Sequence, residues 1–96
     1  MFNMAEIVNN KQGFRVIKLN NNDLINVGFG HICDRCGNSF IKPYEIYYIA
    51  VLNMAFCKKC YENWISKAIK YKEDIRYEES NFEFYAKQLN LLQYEK

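Results

Sequence analysis

The stretch HICDRCGNSF at residues 31–40 and its counterpart FCKKCYENWISKAI at 56–69 each carry a pair of cysteines two residues apart, and these pairs decide how the chain folds. Cys33, Cys36, Cys57 and Cys60 form the pattern C-x2-C-x20-C-x2-C, with no fifth cysteine left over. Two residues between ligands let a tight turn aim both sulfurs at one ion about 2.3 Å away, and an excursion of this length lets a hairpin leave and return. The second pair opens what reads as an amphipathic helix, where unpaired amides and the helix dipole favour thiolate over thiol. Arg35, Lys58 and Lys59, set inside the two pairs, would offset part of the negative charge of a metal tetrathiolate. The expectation is one structural zinc ion on all four cysteines. Two disulfides would need an oxidising compartment, and a thioredoxin-like CxxC does not come with a matched second pair. Four thiolates also suit iron, so the choice between zinc and iron stays open.

A chain of 96 residues, 50% hydrophobic and 17% aromatic, makes one domain with a modest core. The formal charge of +2 falls to zero once four thiolates surround a divalent ion, so bulk electrostatics push toward neither DNA nor membrane. No run approaches the roughly 20 apolar residues of a membrane span, and MFNMAEIVNN lacks the basic and apolar regions of a secretory leader. A soluble, cytoplasmic protein is expected.

Phe14 to Leu19 alternates as a strand, with Leu24 to Val27 as its partner across the turn Asn20 to Asp23, giving an N-terminal β-hairpin. Gly28 and Gly30 mark a bend before the first cysteine pair; they lack the third glycine and the lysine of a phosphate loop. Asn38 to Lys42 and Ile46 to Leu52 read as a second hairpin turned at KPYE, where Pro43 suits the second position of a type I turn. IYYIAVL is apolar on both faces and reads as a central strand covered on each side. Cys57 begins the first helix, in which Cys57, Cys60, Tyr61, Trp64, Ala68 and Tyr71 share one face. Tyr48, Trp64 and Tyr71 are read as packing residues. After the charged connector YKEDIRYEES, Ser80 and Glu83 form an S-x-x-E capping box for a second helix, which carries the stripe Phe82, Tyr85, Ala86, Leu89 and Leu92. The fold class is α+β.

This order, HICDRCGNSF followed by a hairpin and then FCKKC opening a helix, resembles the treble-clef class of zinc fingers. The resemblance implies that Cys33 and Cys36 sit on a zinc knuckle, closed by Gly37, and that Cys57 and Cys60 come from the first helical turn. It covers residues 31–71 of a single domain, 1–96, flanked by the N-terminal hairpin and a C-terminal helix over 80–94. YYIAVLNMAFCKKCYENW is also similar to small zinc-finger proteins of low-GC bacteria and their phages. The excess of Lys over Arg and the abundance of Asn, Ile and Tyr agree with an AT-rich genome.

A four-thiolate shell leaves no position for water, which disfavours metal-assisted hydrolysis. His31, the one histidine, does not supply the H-x-E of zinc deaminases and precedes the knuckle rather than standing where treble-clef nucleases need it. Nothing in the sequence groups Glu45, Asp74, Glu78 or Glu79 for acid–base work. A binding role without catalysis is therefore expected, with a protein partner first. Phe84, Leu91 and Tyr94 offer apolar surface beyond the main helical stripe, against the alternative that the helix buries both sides. If the phage likeness holds, that partner is a host protein. Nucleic acid is the second choice: Lys58, Lys59, Lys67, Lys70, Lys72 and Arg76 lie on or after the zinc helix, and Tyr44 and Tyr47 are placed to stack on bases. Against it stand Glu62, Glu73, Asp74, Glu78 and Glu79, the shortage of arginine, and the ordinary reading of such a run as a solvated face.

Overall fold

The computed structural model describes residues 5–19, 32–39 and 45–89. Four antiparallel strands, β1 (Glu6–Val8), β2 (Val16–Leu19), β3 (Ile46–Ile49) and β4 (Met54–Cys57), lie in chain order in one sheet. Helix α1 (Lys58–Ile65) leaves directly from β4. A 3-10 turn, Lys72–Asp74, leads into helix α2 (Ile75–Gln88). The chain thus forms a mixed α+β domain, as its patterning implies.

The core is built around β3, whose four residues are all buried. Its register sets Val16 opposite Ile49 and Leu19 opposite Ile46 on one edge, and Cys57 opposite Ile46 and Met54 opposite Ile49 on the other. Successive strand residues point to opposite faces of a sheet. Tyr47 stacks on Tyr61 of α1 with ring centroids 4.4 Å apart, while Tyr48 meets Tyr85 of α2 edge-on at 4.7 Å. The two helices therefore cover opposite faces, and the expectation of a central strand enclosed on both sides holds. Phe14 packs on Trp64 at 4.8 Å, and α2 lays Phe82 and Ala86, with Leu89 just past its end, into the core. Aromatic pairs of this kind contribute about 0.5–1.5 kcal/mol each beyond their burial.

The strand pairing differs from the sequence expectation. Both edges of β2 are occupied, by β1 and β3, so the hairpin at the N-terminus joins Glu6–Val8 to Val16–Leu19. Leu24 to Val27, the expected partner, lies outside the described residues, as do Gly28, Gly30 and the turn at Pro43. Likewise β3 lies between β2 and β4 and turns back at Ala50 to Asn53 into β4, which takes the place expected for Asn38 to Lys42; residues 40–42 lie outside the described residues. Asn53 takes a φ of 55°, a left-handed conformation that asparagine tolerates. Its side-chain oxygen accepts the Tyr48 hydroxyl at 2.7 Å, which ties the turn to the core. The sequence masked this turn because AVLN carries neither glycine nor proline.

Helix α1 stops at Ile65, short of the expected stripe: Tyr71 is 56% exposed and is corrected from core to surface. The Gln12 side-chain amide donates to the Ile65 carbonyl at 2.6 Å, and the Ser66 hydroxyl donates to the Asn63 carbonyl at 2.7 Å, so the last turn is satisfied without continuing. Helix α2 begins at Ile75, upstream of Ser80, so Ser80 and Glu83 lie within it and do not cap it. The missed first turns contain Glu78, whose inward-facing carboxylate stands where the apolar stripe would need a hydrophobe. Glu78 accepts the Arg15 amide at 2.7 Å and the Lys70 ammonium at 2.7 Å, which makes its burial tolerable.

Candidate metal centre

The first pair of cysteines sits on a tight turn. The Gly37 amide donates to the Cys33 carbonyl and the Cys33 amide to the Asn38 carbonyl, each at 2.9 Å, and Ile32 bridges Ser39. Gly37 has a φ of +78° with open space around its missing Cβ, so glycine is needed there for its backbone and not for room. Asp34 fastens this turn to β4: its amide donates to the Ala55 carbonyl at 2.9 Å and its carboxylate accepts the Ala55 amide at 2.8 Å. The second pair comes from the junction of β4 and α1. Cys57 ends the strand and forms the extended N-cap of α1, and Cys60 lies in the first helical turn.

These elements bring Cys33, Cys36, Cys57 and Cys60 together, with their four sulfurs all within 4.8 Å of one another. Zinc–sulfur bonds of about 2.3 Å in a tetrahedron require sulfurs about 3.8 Å apart, so closing on an ion takes movements of under about 1 Å per sulfur. Cys33 is 1% exposed and Cys60 is also buried, whereas Cys36 faces solvent. The Cys33 sulfur accepts amide hydrogens from Arg35 at 3.4 Å and Cys57 at 3.3 Å. Burial raises the Cys33 thiol, but backbone amides of Cys36, Cys57 and Arg35 and the Cys36 thiol outweigh it and bring it down to about 7. Cys60 is pushed up to about 12 by burial, by thiol hydrogen bonds from its three neighbours and by the charge on Cys33. A single cation at the centre of the four sulfurs would relieve this crowding. The four cysteines are arranged to bind one metal ion, with thiolate donors alone.

The remaining candidates are dispersed. Lys59, Lys67, Lys72 and Arg76 are exposed. Lys58 lies 3.6 Å from Glu45, which Lys18 approaches at 3.9 Å. Lys70 is removed from the nucleic-acid set: its ammonium is held by Glu78 at 2.7 Å and the Gly13 carbonyl at 2.8 Å. Tyr47 is corrected from a base-stacking residue to a core residue, buried against Tyr61. Trp64 packs on Phe14, as expected. Phe84 is 56% exposed. Leu91, Leu92, Tyr94, Tyr44 and His31 lie outside the described residues. Glu79 pairs with Arg15 at 2.9 Å. Asp34 and Glu78 were not singled out by sequence as anchors, since their partners, the Ala55 and Arg15 amides and the Lys70 ammonium, are brought to them by tertiary contact that spacing cannot reveal.

No helix among the described residues is long and apolar enough to cross a membrane. No protein-family model, curated protein or solved structure matches the chain.

Proposed function

We propose that this chain is a zinc-stabilised domain of treble-clef type that holds one structural ion on Cys33, Cys36, Cys57 and Cys60 and acts by binding, without catalysis. The observation that carries it is the convergence of four sulfurs from a turn and a strand–helix junction. A donor set of four thiolates favours a closed shell with a stabilising ion over an open one with a reactive water. The succession of cysteine turn, β3–β4 hairpin and helix agrees with the treble-clef likeness. Elemental analysis of freshly purified protein tests the metal: one zinc per chain is expected, iron would replace the ion but not the site, and no metal would overturn the reading.

A protein is the preferred partner. Ile69, Tyr71, Ile75 and Phe84 present apolar surface outside the core, and protein interfaces are enriched in such residues. The likeness to phage proteins makes a host protein the class to look for. Nucleic acid is the second reading, favoured by the exposed Lys59, Lys67, Lys72 and Arg76. Affinity capture from the source cell, with and without nuclease, separates the two. A stoichiometric protein surviving nuclease supports the first, and loss of every captured partner supports the second.

A further inference from the structure

The face of α2 turned away from the core carries a pattern that matches itself. At about 100° per residue, Phe82, Ala86 and Leu89 define the buried side together with Glu78, and Arg76, Tyr77, Ser80, Glu83, Phe84 and Lys87 fall opposite. Tyr77 is 52% and Phe84 56% exposed. Ser80 lies near the middle of this outward stripe. Tyr77 and Phe84 lie along one flank of it, and Arg76 and Glu83 along the other. Among the described residues, none of Glu73, Arg76, Glu83 or Lys87 takes part in an ion pair or a side-chain hydrogen bond.

We propose that α2 pairs antiparallel with α2 of a second copy of this chain, about a two-fold axis at Ser80. Such an axis keeps each flank against the same flank of the other copy and reverses the direction of the chain. Tyr77 and Phe84 stand nearly equally far on either side of Ser80, so each Tyr77 ring meets a Phe84 ring. Arg76 and Glu83 are placed in the same way on the charged flank, so each guanidinium meets a carboxylate. Lys87 comes opposite Glu73, in the 3-10 turn that leads into the other helix. The small Ser80 at the axis lets the two backbones approach. A parallel pair would cross the flanks, setting Arg76 and Glu83 against the aromatic Tyr77 and Phe84 and bringing Lys87 beside Lys87 without forming the ion pairs, so the charges select the antiparallel arrangement. A helix roughly 20 Å long covers less than the roughly 800 Å² per partner of a standard interface, so the association is weak and concentration-dependent.

This inference rests on the binding role proposed above and makes a second copy one of the partners. Sedimentation equilibrium of the full, metal-loaded chain from about 10 µM to about 1 mM spans the range where an interface of this size associates. A monomer–dimer equilibrium is expected. Arg76→Glu alone, or Glu83→Lys alone, should weaken the dimer at least about tenfold by setting like charges together. Mixing these two variants should restore it, because every ion pair re-forms in the mixed dimer. A monomer over the whole range, a dimer indifferent to both reversals, or a mixture that stays weak would overturn the pairing. A strict monomer that still captures a protein after nuclease overturns the pairing alone. A dimer that captures only nucleic acid overturns the preferred partner and leaves the pairing standing.

Discussion

Glu78, 1% exposed, shows how one side chain can hold together parts of the chain that are distant in sequence. It collects the Arg15 amide from the start of β2 and the Lys70 ammonium from the segment after α1, and so fastens α2 to the sheet. Glu78→Ala leaves the Arg15 amide without its acceptor and the Lys70 ammonium with the Gly13 carbonyl alone, and should cost about 2–4 kcal/mol in urea unfolding. Glu78→Gln, which keeps an acceptor, should cost less. Asp34 plays the corresponding part at the metal centre. Asp34→Ala loses the carboxylate bond to the Ala55 amide and should weaken folding by about 1–2 kcal/mol, read as a lower melting temperature of the metal-loaded chain. The four cysteines were legible because metal ligation demands a fixed local spacing. The two carboxylates were not, because their partners are set by tertiary contact.

At the scale of elements, the start of α2 is the sharpest difference between pattern and structure. Ser80 and Glu83 satisfy the capping-box pattern, but the helix has already begun at Ile75 and Ser80 is exposed within it. Ser80→Ala should therefore be neutral or stabilising by a few tenths of a kcal/mol, from helix propensity, when thermal unfolding is followed in dilute solution. A loss of about 1 kcal/mol would mean that the serine is a cap after all. The sheet shows the same limit. β3 was legible as a buried strand from IYYI and β2 from FRVIKL, whereas β1 and β4 were not, because β1 is three residues long and β4 merges into a cysteine pair. Both strands depend on a paired neighbour more than on their own propensity.

For the whole molecule, a metal ion on the four cysteines would be the largest single contribution to stability that the site allows. Binding by a structural zinc site is worth on the order of 10 kcal/mol, comparable with the roughly 5–15 kcal/mol of net stability of an ordinary domain. Chelation, or Cys60→Ser, should unfold the middle of the chain, with loss of ellipticity and of the cooperative melt; a melt unchanged by chelation would remove the ion from the stability of the fold. The ion must also displace protons, and the sign follows from the two shifted thiols. Cys60, held near 12, surrenders a proton at any working pH, while Cys33, near 7, surrenders one only below that pH. Metal affinity should therefore fall as the pH is lowered, in competition titrations against a chromophoric chelator.

The amino-acid sequence alone determined the ligand set, the buried central strand and the mixed architecture, because thiol spacing and apolar patterning are local properties carried by residue type. Tertiary structure decided which strands neighbour one another, where α1 stops and α2 starts, and which charged groups are spent inside the fold. Lys70 is the plainest case. As a letter in a basic run it resembles Lys67 and Lys72, and only the arrival of Glu78 from α2 turns it inward. A side chain with several available partners takes the one that folding brings within hydrogen-bond reach, and that choice is made by the packing of α2 on the sheet.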